Sequence, residues 1–203
     1  MNKGTVIVIS GPSGSGKGTI VAMLRDMYPE AGVSVSATTR EKRPGEVDGV
    51  HYYYKTREEF EKLVADGEVL EHTEYNGNYY GTLKSEAERI INSGRDLILE
   101  IEVDGAGQIK KLLGDECKAV MLIAPDAKEL ERRLRDRGTE SEEAILNRLA
   151  RAREEIKLAS MYDFIVINET DKEKECAENV LAIIKAEHLK YECRKDFING
   201  YFG

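Results

Sequence analysis

No run in this 203-residue chain approaches the roughly 18 apolar residues that a membrane-crossing helix requires. Val6 to Ile9 is too short even for the apolar core of a secretory leader, so a cytoplasmic location is expected, with no membrane partner. Cysteine is scarce. Cys117, Cys176 and Cys193 are odd in number, widely spaced and free of any Cys-x-x-Cys or Cys/His pattern, which argues against a disulfide framework and against a zinc site. An excess of positive charge is missing too. The net charge of -8 argues against broad nucleic-acid binding, although arginines gather at Arg40/Arg43 and between Arg132 and Arg153. Local cations in an acidic chain suit small anionic ligands, while Arg132, Arg135 and Arg153 read better as solvated helix positions. Repeats, low-complexity tracts and linkers are absent, and 41% hydrophobic residues suffice for one buried core. A single domain over 1–203 is expected, with a weakly ordered tail from 191 to 203.

What is present reads as alternating strands and helices. Residues 5–10 form a β-branched run bounded by glycine, as expected of a strand buried on both faces of a parallel sheet, and a helix follows from about Lys17 to Met27. Val33 to Ser36, Leu97 to Ile101, Ala119 to Ile123 and Phe164 to Ile167 complete a five-stranded set within a doubly wound α/β domain. Helix starts are marked by Thr56 with Glu59, by Thr139 with Glu142, and by Asp171 ahead of the last long helix. Between Arg40 and Tyr80 the alternation breaks. That stretch is rich in tyrosine, glycine and charge, with short strands expected around His51 to Tyr54 and Val69 to Tyr75, and it reads as an inserted lobe over the sheet edge.

Gly11-Pro12-Ser13-Gly14-Ser15-Gly16-Lys17 satisfies G-x-x-x-x-G-K directly after a strand and directly before a helix. Glycines let the backbone curl so that successive N–H groups face phosphate oxygens, the helix N-terminus adds its positive end, and the lysine reaches the outer phosphates of a nucleoside triphosphate. The lysine is followed by Gly18 and then Thr19, whereas the usual pattern places the magnesium-holding hydroxyl beside the lysine. Thr19 is therefore the magnesium candidate, directly or through water. A plain glycine turn is the alternative. A dinucleotide fingerprint fits worse, because its third glycine would fall on Thr19 and no acidic residue ends the second strand.

Three further stretches, SATTREKRPGEVDGVHYYY from Ser36, EHTEYNGNYYGT from Glu71 and RGTESEEAILNRL from Arg137, together with the phosphate loop, resemble guanylate kinase from about Lys3 to Ala186. The resemblance implies a three-layer kinase fold with core segments 1–36, 94–125 and 160–190, a small α+β GMP-binding lobe at 37–93 and a helical lid at 126–159. It implies ATP and GMP as substrates, with dGMP a further candidate acceptor, and Mg2+ as the ion. Glu71 and Glu102 would accept from the guanine N1–H and amino group, while Ser36 and Thr82 would donate toward O6. Adenine would leave those groups unpaired, a penalty that can reach about 10⁴-fold. Arg40 and Arg43, with the hydroxyls of Tyr52 and Tyr80, would hold the acceptor phosphate in guanidinium forks. Arg133, Arg137 and Arg148 would surround the transferring group, with Gly138 in a mobile lid and Asn168 beside the adenine.

The spacing supports parts of that picture independently. Arg133 and Arg137 are four apart on a helix anchored by Leu130 and Leu134, and Arg148 lies at the edge of a stripe formed by Ile145, Leu149, Ala152 and Ile156. Arg151 and Arg153 suit pairing with neighbouring glutamates. Phosphate as acceptor needs no strong base, so His51, His72 and His188 are expected to be ordinary. This chain departs from the family in having Glu102 where aspartate is expected and Asp104 where glutamine is common. Glu102 could instead orient magnesium through water, and Glu100 is expected to face away from the site. Two rival readings remain open: a kinase of a phosphorylated ribose, and a catalytically inactive module of the same fold that binds proteins.

Overall fold

The structure is a computed structural model and describes residues 4–75, 77–136 and 141–202. β1 (Val6–Ser10) is buried along its whole length and runs parallel between β7 (Leu97–Glu100) and β8 (Cys117–Ile123). β2 (Gly32–Val33) and β9 (Phe164–Ile167) close the two edges, giving the order β2-β7-β1-β8-β9 with every pair parallel. The two-residue alternation along β1 sends Ile7 and Ile9 to one face and Val6 and Val8 to the other. Ile7 and Ile9 pack with Ile20 and Leu24 of α1 (Lys17–Met27) and with Val180 and Ile184 of α7 (Glu173–Glu187). Val6 and Val8 pack with Ile90 of α3 (Lys84–Asn92) and with Val103, Ala106 and Ile109 of α4 (Val103–Leu113).

A second sheet, in the order β4-β3-β6-β5, is built from β3 (Ala37–Thr38), β4 (Tyr53–Tyr54), β5 (Val69–Tyr75) and β6 (Asn78–Leu83). α2 (Arg57–Ala65) lies on it through Phe60, whose fully buried ring stacks on Tyr79 at 5.3 Å. Its start is the expected capping box, with Thr56 accepting from Glu59 N and Glu59 accepting from Thr56 N. The two sheets meet where β5 crosses α4: Gln108 donates to His72 O at 2.7 Å and accepts from His72 N at 3.1 Å. α5 (Ala127–Arg135) and α6 (Glu142–Lys157) form a small separate cluster around Leu130, Leu134, Ile145 and Ala152.

Several expectations are corrected. The strand expected at Val33 to Ser36 is divided, because the last core rung is Ser34 N to Ile98 O and the chain then crosses to the second sheet at Ala37. β6 is a strand although its composition of Asn, Tyr and Gly gave no alternation to read; its pairing with β5 supplies the order. Thr139 lies outside the described residues, and α6 is capped by Ser141, whose side chain accepts from Ala144 N. Asp171 occupies a left-handed turn at φ 60°, and the residue at the cap position before α7 is Lys172, which makes no side-chain capping bond. The tail contains α8 (Tyr191–Asn199), which buries no residue. On α6 the stripe ends at Ala152: Ile156 is exposed, and Glu155 is buried instead, bonded to Arg151 Nε at 2.6 Å.

Candidate active site

The loop after β1 follows the path its glycines permit. Gly14 and Gly16 sit at φ 88° and 92°, in the left-handed region that other residues adopt only at a cost. A side chain on Gly16 would collide with Asn168, and one on Gly14 would press on Leu130 and Leu134 of α5, so absence of a Cβ also lets the loop seat against its neighbours. Asn168 is 2% exposed, donates Nδ2 to Ser15 O at 2.9 Å and takes Ile123 O through its own backbone N–H. It braces the loop from beneath. Lys17 opens α1 and donates Nζ to Gly11 O at 2.5 Å, with Glu102 Oε1 at 3.7 Å.

Beside this loop, at the carboxyl ends of the core strands, opens a cleft of about 470 Å³, a size suited to a small molecule. Ser13, Lys17 and Arg148 line its loop end, and Ser36, Arg40, Arg43, Tyr52, Glu71, Tyr80 and Glu102 line the rest. Residues far apart in sequence thus share one wall. Arg148 of α6 reaches back to the loop, where its Nη1 donates to Ser13 Oγ at 2.9 Å, and its guanidinium lies over the Tyr75 ring at 5.7 Å.

At the other end sits a buried carboxylate. Glu71 of β5 faces Thr82 of β6 as a direct cross-strand pair, and the Thr82 hydroxyl donates to Glu71 Oε1 at 2.7 Å. Oε2 rests where Gly105 of α4 has no side chain. Glu71 is 3% exposed, and burial, reinforced by the negative charge of Glu102, lifts its pKa to about 7 despite hydrogen bonds from Thr82. The single Thr82 proton is committed to Glu71, so donation to a ligand carbonyl would require that bond to be exchanged.

Between the two ends lies the arginine and tyrosine group. Arg40 lies over Tyr52 at 5.4 Å and Tyr54 at 5.9 Å, and Tyr52 meets Tyr80 edge to face at 6.0 Å. Three expected site residues lie elsewhere. Thr19 is exposed on the first turn of α1, Asn168 is beneath the loop, and Arg133 bonds Glu129 and Asn168 O rather than lining the cleft. Arg137 and Gly138 lie outside the described residues. Glu100 reverses the expectation that it faces away: residues two apart on an extended chain share a side, and both Glu100 and Glu102 line the cleft. Burial raises the Glu100 pKa, with Lys17 and Arg25 opposing.

Sequence reasoning also passed over Ser34, Glu46 and Tyr75, all at or beside the cleft. The R-P-G-E turn was a visible signal for Glu46. The histidines take no part at the phosphate loop, although His51 lines the cleft. His51 Nδ1 accepts from Val47 N, and His188 Nε2 lies 2.7 Å from Asp96 Oδ2.

A phosphate loop braced between β1 and α1, with a cleft of cations, tyrosines and one buried carboxylate at the sheet's carboxyl edge, defines a kinase of the phosphate-loop class that works on a small anionic acceptor. Comparison with known proteins gives the family. The guanylate kinase model matches residues 3–187, and the chain belongs to the guanylate kinase family. A guanylate kinase of Oceanobacillus iheyensis is 48% identical over 190 residues, covering 94% of this chain and 91% of that protein. One from Synechococcus elongatus is 50% identical over 169 residues, covering 83% and 92%. The crystal structure of guanylate kinase from Anaplasma phagocytophilum superposes with a TM-score of 0.76 at 30% identity, covering 96% of this chain and 90% of that one. Among the described residues no helix is long and apolar enough to cross a membrane.

Proposed function

We propose that the protein transfers the terminal phosphoryl group of ATP to GMP, giving ADP and GDP. The observation that carries this reading is the buried Glu71 carboxylate, held from behind by Thr82, lining the same cleft as Ser13 and Lys17 of the phosphate loop. A carboxylate at that depth has an evident use if it meets two N–H donors on one edge, which guanine offers and adenine does not. Ser36 and Glu102 complete the base pocket. Arg40, Arg43, Tyr52 and Tyr80 take the GMP phosphate, while the loop from Gly11 to Thr19 takes the ATP phosphates and Asn168 holds the loop's shape.

The acceptor is already a phosphate oxygen, so catalysis lies in alignment and in stabilising spreading negative charge. Lys17 leaves the Gly11 carbonyl for the outer phosphates, and Arg148 leaves Ser13 for the group in transit, with Arg133 and Arg137 joining from the lid. The donor set fits magnesium, which is held by one or two carboxylates, waters and substrate phosphates rather than a protein cage. Thr19 and Glu100 are the candidates, since Glu100 Oε1 lies beside Gly18. When bound, the ion supplies positive charge to the outer ATP phosphates. Closure of the cleft would exclude water, so ATP hydrolysis without acceptor should be slow.

The test is a panel of nucleoside monophosphates and ribose phosphates offered with ATP and magnesium, following ADP. GMP-dependent turnover is expected, with AMP and ribose phosphates far slower. Turnover of a ribose phosphate without GMP would replace the acceptor, and no turnover with any acceptor would favour a binding module.

A further inference from the structure

Arg43, Pro44, Gly45 and Glu46 form a tight turn closed by Glu46 N to Arg43 O at 3.1 Å. Proline at its second position and glycine at its third, at φ 85°, are the residues a type II turn demands. A side chain on Gly45 would meet nothing, so glycine is needed for the backbone angle rather than for room. The turn carries the Glu46 carboxylate back over its own start. There it collects three donors: Arg40 Nη2 at 2.7 Å, Arg43 N at 2.8 Å and the Tyr54 hydroxyl at 2.7 Å. Arg40 Nη1 is meanwhile fixed on Glu41 O at 2.7 Å. The guanidinium is thereby held at both ends, over the rings of Tyr52 and Tyr54.

Arginine is long and rich in rotamers, and a guanidinium fork recognises phosphate only in a fixed plane. Its N–H groups outside these two bonds remain for a ligand. We propose that Glu46, itself braced by Tyr54 and the Arg43 amide, is the positioning residue of the acceptor-phosphate site: it sets the plane of Arg40 before GMP arrives and keeps it when GMP binds. The inference rests on the reading that Arg40 and Arg43 hold the acceptor phosphate. The guanidinium in turn holds the Glu46 carboxyl at about 2, so it stays ionised across the working range.

The test compares wild type with Glu46→Ala and Glu46→Gln, using steady-state KM for GMP and ATP and calorimetric Kd for GMP and for guanosine, which lacks the phosphate. Glu46→Ala should raise the KM and Kd of GMP on the order of 10- to 100-fold, the range lost with a charge-assisted hydrogen bond. KM for ATP and Kd for guanosine should stay unchanged. Glu46→Gln keeps the length and one acceptor oxygen and should fall between the two. Equal weakening of GMP and guanosine would overturn the proposal by showing a general collapse of the lobe. Tighter GMP binding in Glu46→Ala would overturn it by making Glu46 a competitor for Arg40, and unchanged GMP binding would leave Glu46 without the role. Failure of the underlying reading shows elsewhere: Arg40→Ala would leave the Kd of GMP unchanged, and wild type would bind guanosine as well as GMP.

Discussion

The affinity for GMP should depend on pH through one buried group. Glu71 titrates at about 7 because the cleft floor removes it from water, yet only its ionised form can accept from two N–H groups of guanine. With that pKa, about one molecule in ten carries the carboxylate at pH 6 and about nine in ten at pH 8. KM for GMP at saturating ATP should therefore fall about tenfold between those pH values, while KM for ATP should change little. The second ionisation of the GMP phosphate, near pH 6, adds about a factor of two in the same direction. Glu71→Gln separates the two effects, since it should keep the twofold change and lose the tenfold one, at a higher KM throughout. Coupled ADP-release assays across the range provide the profile. Calorimetry in two buffers of different ionisation enthalpy should show about half a proton released per GMP bound at pH 7. A flat profile in wild type, or the same tenfold slope in Glu71→Gln, would refute the assignment of Glu71 to the base.

Folding should show the reverse dependence. The buried carboxyl favours its neutral form, so stability is lost as pH rises from the ordinary carboxylate range through about 7, by up to about 3 kcal/mol, and Glu71→Gln should melt higher than wild type at about pH 8. Gly105→Ala places a methyl on Glu71 Oε2 and should raise KM for GMP about tenfold, with no further loss when combined with Glu71→Ala. Arg148→Ala removes the α6 cation at the loop and should lower kcat about 10²- to 10³-fold, more than it raises KM for ATP. Asp96, 3% exposed before β7 and away from the cleft, accepts from Thr5 N, Tyr28 OH and His188 Nε2; Asp96→Ala should cost about 3 kcal/mol and roughly 5 to 10 °C in Tm by calorimetry, with kcat at low temperature retained.

The features legible in the sequence were those fixed by local physics. The phosphate loop is dictated by where glycine must adopt left-handed angles, β1, β7 and β8 announce themselves because both faces are largely buried, and β9 is legible from its apolar run although Ile165 and Ile167 stay exposed at the sheet edge. The Thr56 capping box is equally local. β6 was not legible, because its order comes from pairing with β5 rather than from its own alternation. Helical spacing placed Ile156 in the α6 stripe, but the buried position next to it is Glu155, made tolerable by Arg151, which a periodicity cannot foresee. Glu46 escaped for a related reason: its three donors come from a turn, a side chain six residues back and a tyrosine eight residues on. The Glu100 error was one of counting alternation, which places it with Glu102.

The Gln108 side chain, bonded to both polar groups of His72, has one more consequence. β5 is the outermost member of the second sheet, and an outermost strand offers unpaired amides that foreign chains can template on. A carboxamide carries the same donor and acceptor as a peptide unit, so a helix here supplies a counterfeit rung at the midpoint of that ribbon. Pairing of a foreign strand at that rung is thereby discouraged without a further strand of the sheet's own.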